Sequence, residues 1–299
     1  MYFDTHAHVN FSAYKDDGEE VLKRALDNGV FVVNIGSQYS TSKRAVEYAH
    51  KFETGVWAAV GVHPVHLKKG SFTHRDPDEL EEVEIQTSGE VFEYGKYLEL
   101  AKDEKVVAIG EVGLDYHHFD PPRVDERSSS RVEAGEGDDV AALIKKQKEV
   151  LIEAIRLANE VRKPVMLHCW DAYDDLLEIL QNHPVEKKGV VHSFIGSHKT
   201  AKKFIELGYK IGLNGIATYG ESYDKLIREI GLENILLETD CPYLTPRPLE
   251  KGIRNEPLFV KNVAQKIADV KSVSIEEVGK ITTENAKKIF DIDTSYFQA

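Results

Sequence analysis

Short runs of β-branched and other apolar residues alternate along this chain with longer stretches whose apolar positions recur at helical spacing. The strand-like runs are Tyr2 to His6, Val30 to Ile35, Val56 to Val62, Val106 to Val112, Pro164 to His168, Gly189 to His192, Tyr209 to Leu213 and Ile235 to Asp240. Between and after them, Glu19 to Asn28, Thr41 to Phe52, Leu143 to Val161, Ala172 to His183, His198 to Leu207, Ser222 to Ile230, Glu256 to Val270 and Ser274 to Phe290 read as helices, the last with Ser274 as N-cap three residues before Glu277. Alternation of this kind predicts βα units and a parallel sheet, and eight units are the number that closes a barrel. The expected fold is α/β, a (β/α)8 TIM barrel with extended loops at its mouth, spanning 1–299 as a single domain.

Two segments break the rhythm. Lys68 to Leu100 is long and acidic and is expected to be a loop with one or two helical turns before the next helix. Phe119 to Asp139 carries Pro-Pro, Ser-Ser-Ser and Gly-Glu-Gly, the composition of a mobile loop inserted over the barrel mouth.

In a parallel barrel the site lies at the carboxyl ends of the strands, which makes the residues there informative. The first strand ends in His6-Ala7-His8, and side chains two apart on a strand share a face, so both imidazoles can point at one spot. The third strand is followed by His63, the fourth runs into Glu111, and the fifth, sixth and eighth end at His168, His192 and Asp240. Apolar runs have no burial reason to end in ionisable groups, and buried charges need partners or a metal. Six candidate ligands exceed what one tetrahedral ion needs; a carboxylate bridging two divalent ions is the economical arrangement. Mixed nitrogen and oxygen donors suit Zn²⁺, Mn²⁺ or Fe²⁺, whereas Mg²⁺ prefers oxygen.

Composition narrows the partners. A net charge of −13 excludes a broad basic surface that grips nucleic acid by phosphate neutralisation alone. No leader-like segment and no apolar run of about 18 residues is seen, so a cytoplasmic or nuclear protein without membrane partners is expected, as a monomer or weak oligomer. Cys169 and Cys241 each follow a candidate ligand, and strand alternation turns them away from it; both are read as reduced.

The blocks Phe3-Asp4-Thr5-His6-Ala7-His8, Gly61-Val62-His63-Pro64, Gly110-Glu111-Val112-Gly113-Leu114-Asp115-Tyr116, Pro164 to His168, Val191-His192-Ser193-Phe194, Glu238-Thr239-Asp240-Cys241-Pro242-Tyr243-Leu244 and Arg254-Asn255-Glu256-Pro257 closely resemble the TatD family of metal-dependent deoxyribonucleases, within the amidohydrolase superfamily. The resemblance runs over nearly the whole chain. It implies one ion held by His6, His8, Glu111 and Asp240, a second held by Glu111, His168 and His192, and catalysis by Asp240 and Glu111, with Asp240 orienting the attacking water or taking its proton. It also implies DNA as substrate and two divalent ions (Mg²⁺, Mn²⁺ or Zn²⁺) as cofactors. His63 is implied to contact substrate phosphate rather than metal. The two lengthened mouth segments depart from the family pattern, so substrate size does not carry over.

Arg254 and Asn255 follow the eighth strand in a proline-rich loop and are candidates for gripping phosphate, since arginine offers a planar donor fork; capping of carbonyls is the structural alternative. Asn255 is also expected to cap the next helix, with Pro257 in its first turn. Asp115 is either the carboxylate that receives the outer N–H of a ligating imidazole or a turn residue. The leading functional expectation is a deoxyribonuclease acting as an exonuclease on single-stranded or frayed ends. The alternatives on the same barrel are a small-molecule amidohydrolase or esterase and an aminoacyl-tRNA deacylase, with a non-catalytic scaffold disfavoured because all six ligand positions are present.

Overall fold

Strand alternation divides each apolar run between two cores. In the computed structural model, which describes residues 1–74, 83–118, 136–250 and 252–292, Val30 and Val32 face the layer shared with the helices, while Phe31, Val33 and Ile35 of the same strand join Met166, Val190 and Leu236 in a separate inner cluster. A strand buried on both faces reads as continuously apolar, which is why these runs are legible.

The strands in chain order are β1 (Tyr2–Ala7), β2 (Val30–Ile35), β3 (Val56–Val60), β4 (Lys69–His74), β5 (Val83–Ser88), β6 (Val106–Asp115), β7 (Val165–Trp170), β8 (Gly189–Val191), β9 (Lys210–Leu213) and β10 (Ile235–Leu237). Eight of them form one parallel sheet in the order β1-β2-β3-β6-β7-β8-β9-β10. Helices α1 (Gly18–Asp27), α2 (Tyr39–Ala49), α3 (Tyr94–Ala101), α4 (Glu136–Val161), α5 (Tyr173–Asn182), α6 (His198–Glu206) and α7 (Asp224–Glu229) fall between strands, and α8 (Val260–Lys271) and α9 (Ile275–Phe290) end the described chain. The (β/α)8 barrel is thus present. Ser274 caps α9 as expected, its hydroxyl accepting from the Glu277 N–H at 3.1 Å. Among the described residues no helix is long and apolar enough to cross a membrane.

The seam between β1 and β10 closes the barrel without a regular ladder. Its backbone contacts are the Asp240 N–H to His6 carbonyl at 2.8 Å and the His8 N–H to Cys241 carbonyl at 2.9 Å. Side chains supply the rest: Asp4 accepts from the Thr239 N–H at 2.9 Å and the Thr239 hydroxyl at 2.6 Å, and Thr5 donates to the Leu237 carbonyl at 3.1 Å. Asp4, Thr5 and Thr239 are wholly buried, so each bond is made away from competing water.

Several boundaries differ from expectation for identifiable reasons. Part of the acidic segment from Lys68 onward is an antiparallel pair, β4 with β5, not a loop; it is a separate two-stranded sheet outside the barrel. β6 runs on to Asp115 because Gly113, Leu114 and Asp115 pair with His168, Cys169 and Trp170 of β7. Asn255 does not cap a helix: the short 3₁₀ turn Pro257–Phe259 is preceded by Glu256. The interruption expected at 119–139 lies outside the described residues as far as 135, and Glu136 onward already belongs to α4.

The seam generates a stability test. Replacing Asp4 by Ala leaves the buried Thr239 N–H and hydroxyl without their acceptor and is expected to lower unfolding free energy by about 3 kcal/mol, read by calorimetry or urea unfolding; Asp4→Asn, which keeps one acceptor oxygen, is expected to lose less. A fully stable Asp4→Ala protein would show that the seam does not depend on this side chain.

Candidate metal centre

Register irregularities aim the site residues. Between Ile109 and Val112 the β6 register against β7 shifts by one residue, and a similar shift lies between Asp4 and Ala7 in β1. Bulges of this kind re-aim side chains and are common beside active sites. Glu111 lies within that irregular stretch; beyond it Gly113 and Asp115 share a face, and Gly113 lies opposite His168. A Cβ at Gly113 would lie 1.9 Å from the His168 carbonyl oxygen, so only glycine permits this approach. Asp240 has φ 58°, a left-handed conformation that Asp tolerates better than most residues.

The six proposed ligands converge. Glu111 Oε1 lies 2.5 Å from His192 Nε2, 3.1 Å from His168 Nδ1 and 3.4 Å from His63 Nε2. Its Oε2 lies on the other side, 3.5 Å from His6 Nε2 and 3.9 Å from His8 Nε2. Asp240 Oδ1 is 3.3 Å from His8 Nε2 and 3.7 Å from His6 Nε2. One carboxylate therefore stands between two imidazole groups.

Hydrogen-bond partners set the tautomers. His8 Nδ1 faces the Ile35 carbonyl at 3.0 Å, so it carries the proton and Nε2 presents a lone pair. His168 Nε2 faces Asp115 Oδ2 at 3.0 Å, so Nδ1, 3.1 Å from Glu111 Oε1, is the ring nitrogen turned to the cluster. His63 behaves oppositely: its Nδ1 accepts from the Val65 N–H at 3.1 Å, so the proton sits on Nε2. His63, Glu111 and His168 lie close enough together to hold an ion, but this tautomer makes His63 a donor rather than a ligand.

The donors fit divalent cations. His6 Nε2 and His8 Nε2 stand 3.1 Å apart. Two nitrogens each about 2.0–2.1 Å from one tetrahedral ion would be roughly 3.3 Å apart. His192 is buried and neither ring nitrogen has a hydrogen bond of good geometry; a cation beside Glu111 would satisfy its Nε2.

Burial and mutual charge shift the titrations strongly. Burial, reinforced by neighbouring His192, pulls His6 down to about 4. For His168 burial is outweighed by Asp115 and Glu111, one on each ring nitrogen, which raise it to about 9. Burial also opposes ionisation of Glu111 and Asp240, yet the surrounding imidazoles hold both carboxylates below their usual range.

Three placements revise the sequence reading. Arg254 is not brought to the cluster: it pairs with Asp17, donates to the Ala13 carbonyl and lies 4.4 Å over the Tyr14 ring. Asn255 is fully buried and its amide holds the Thr239 and Tyr243 carbonyls, a structural role. Asp115 fills both expected roles: Oδ2 faces His168 Nε2 at 3.0 Å and His118 Nδ1 at 2.8 Å, and Oδ1 accepts from the His118 N–H three residues on at 3.0 Å. Glu238 is a site residue that the strand-end pattern does not single out, although it stands two residues before Asp240. It is buried against Gly212, accepts from the Ser193 N–H at 2.5 Å and lies 3.8 Å from His192 Nδ1; burial raises its carboxyl well above the usual range. Cys169 and Cys241 are free and buried.

A cavity of about 410 Å³ opens over the cluster. Phe11, Trp170, Pro242 and Tyr243 line part of it, and Ser37, Gln38, Ser40, Thr41, Arg44 and His66 another part.

A family model described as TatD related DNase matches residues 3–291. The chain belongs to the TatD family. Among curated relatives, the metal-dependent hydrolase YabD of Bacillus subtilis is 36% identical over 297 residues, covering 98% of this chain and 100% of that protein. Human deoxyribonuclease TATDN3 is 30% identical over 288 residues, covering 96% and 93%. The crystal structure of the TatD homologue YjjV from Escherichia coli superposes with a TM-score of 0.75 at 27% identity, covering 98% of each chain. The chain is accordingly a TatD-family metal-dependent hydrolase.

The Asp115–His168 pair has a pH signature in chelator-treated protein. His168 is raised in the fold above its unfolded value near 6.5, so the pair's stabilisation is fully present below about pH 6.5 and is lost as pH rises through about 9. The stability gap between wild type and Asp115→Asn is expected to narrow from pH 6 to pH 9.5 in urea unfolding. A pH-independent gap would mean that this pair does not set the His168 titration.

Proposed function

We propose that this chain hydrolyses DNA phosphodiester bonds, as an exonuclease on single-stranded or frayed ends, with two divalent ions. The observation that carries the reading is Glu111, whose two oxygens face different imidazole groups. His6, His8, Glu111 and Asp240 would hold one ion, and Glu111, His168 and His192 the other. Such a pair supplies an acidified water and positive charge for the phosphoryl oxygens.

The protein's own groups do the remaining work. Asp240 is held ionised, lines the cavity and retains 16% side-chain exposure, so it is reachable by water and able to orient it or accept its proton. His63, with its proton on Nε2, is a donor for a substrate oxygen. The buried positions of His6, His8 and His192 keep the ligand set fixed while substrate comes and goes. A pocket of this volume, rather than a long basic groove, suits the end of a strand, and the deoxyribonuclease name of the human relative supports DNA as the substrate.

The deciding measurement is nucleotide release from end-labelled single-stranded and duplex DNA with Mg²⁺, Mn²⁺, Zn²⁺ or EDTA. Wild type is expected to cleave only with added or bound metal, and Glu111→Ala and Asp240→Asn each to lose about a thousandfold. Metal-loaded protein that leaves every DNA intact would overturn the substrate assignment and turn the screen to amides, esters and aminoacyl-tRNA.

A further inference from the structure

A phosphodiester chain brings one negative charge per nucleotide, and ions at the reacting phosphate do not neutralise its neighbours. In a protein of net charge −13 that task needs a placed cation. The sequence points to Arg254, which the fold commits to Asp17. Among the described residues lining the cavity, Arg44 is the only lysine or arginine.

Arg44 lies on α2 four residues after Ser40 and three after Thr41, spacings that place all three on one helix face, and all three line the cavity. Its Nη1 donates to the Asn10 carbonyl at 3.0 Å. Asn10 is wholly buried and its amide holds the Ile35 and Thr41 carbonyls. The Ile35 carbonyl is also the partner of His8 Nδ1. One buried carbonyl thus fixes both a candidate metal ligand and the loop that holds the guanidinium. The anchor uses one of five N–H donors, leaving the fork pre-oriented and available.

The N-terminus of α2 is not itself the anion site, because Glu90 Oε1 already accepts from the Tyr39 N–H at 3.1 Å. His66 also lines the cavity, is 8% exposed and has an unpartnered Nδ1, whereas the Thr41 hydroxyl is committed to the Ser37 and Gln38 backbone.

We propose that Arg44 binds the phosphate adjacent to the scissile one, so that the site selects a chain of at least two phosphates. This rests on the phosphodiesterase reading and adds a specificity-determining residue to it. It also separates the site from one built for a neutral amide, which would present nothing for that guanidinium to pair.

The test compares wild type, Arg44→Gln and Arg44→Lys, all metal-loaded, on short thymidine oligonucleotides. One substrate carries every phosphodiester; others carry a neutral methylphosphonate at one flank or the other of the cleaved linkage. Arg44→Gln is expected to raise KM on the charged substrate about tenfold, with kcat changed less than about twofold, and to reduce the slope of log KM against log salt by about 0.7. Arg44→Lys is expected to recover part of the KM. On the substrate neutral at the Arg44 flank, wild type and Arg44→Gln should coincide. An equal KM penalty on all substrates, or none on any, overturns the assignment while leaving the phosphodiesterase reading intact. A wild type that cleaves none of them overturns that reading, and the Arg44 assignment with it.

Discussion

Closure of β1 onto β10 is the constraint on which the site depends. The other neighbouring strands of the barrel are joined by parallel ladders, whereas this seam is held by two crossing backbone bonds and by buried Asp4, Thr5 and Thr239. The same crossing that pairs the His6 carbonyl with the Asp240 N–H brings the His6 and His8 imidazoles to the Asp240 carboxylate. Fold and chemistry share these atoms, so the polar residues buried here are not an addition to a finished barrel. Removing a buried acceptor from such a seam costs more than the bond itself contributes, because its donors lose water as well.

Around β6 and β7 a second constraint operates through strand geometry. Glu111 lies within a one-residue register shift and Asp115 beyond it, and the missing side chain at Gly113 lets His168 settle between the two carboxylates. The ring is therefore fixed at both nitrogens before any ion arrives. Buried imidazoles and carboxylates at this density would repel or desolvate one another individually; as a set their charges are complementary.

Much of this was legible because barrel strands are buried on both faces and announce themselves as apolar runs, and because burial alone does not put an ionisable residue at the end of such a run. The candidate ligand positions followed from that contrast. What stayed hidden was governed by side-chain direction and by distant partners. Arg254 has the right chemistry for phosphate, but Asp17, 237 residues away in sequence, takes it. Arg44 carries no strand-end signal and reads like any solvated helix cation. The β4–β5 pair has charged and polar residues where a buried strand would show apolar ones, and β6 extends through Gly113 and Asp115, residue types that ordinarily argue against a strand.

The closing seam also sets an order on the making of the protein. Strand β1 leaves the ribosome well before β10, and the partner that completes its edge, with the aspartate that faces its histidine pair, lies more than two hundred residues later, with a sequence separation of 235 between Asp4 and Thr239. Translation delivers the amino-terminal histidines long before their carboxylate, and any fragment stopping short of β10 carries them beside an unpaired edge. The centre is thus a late product of synthesis: the nascent chain has His6 and His8 early but gains their fixed geometry only when nearly the whole barrel has emerged.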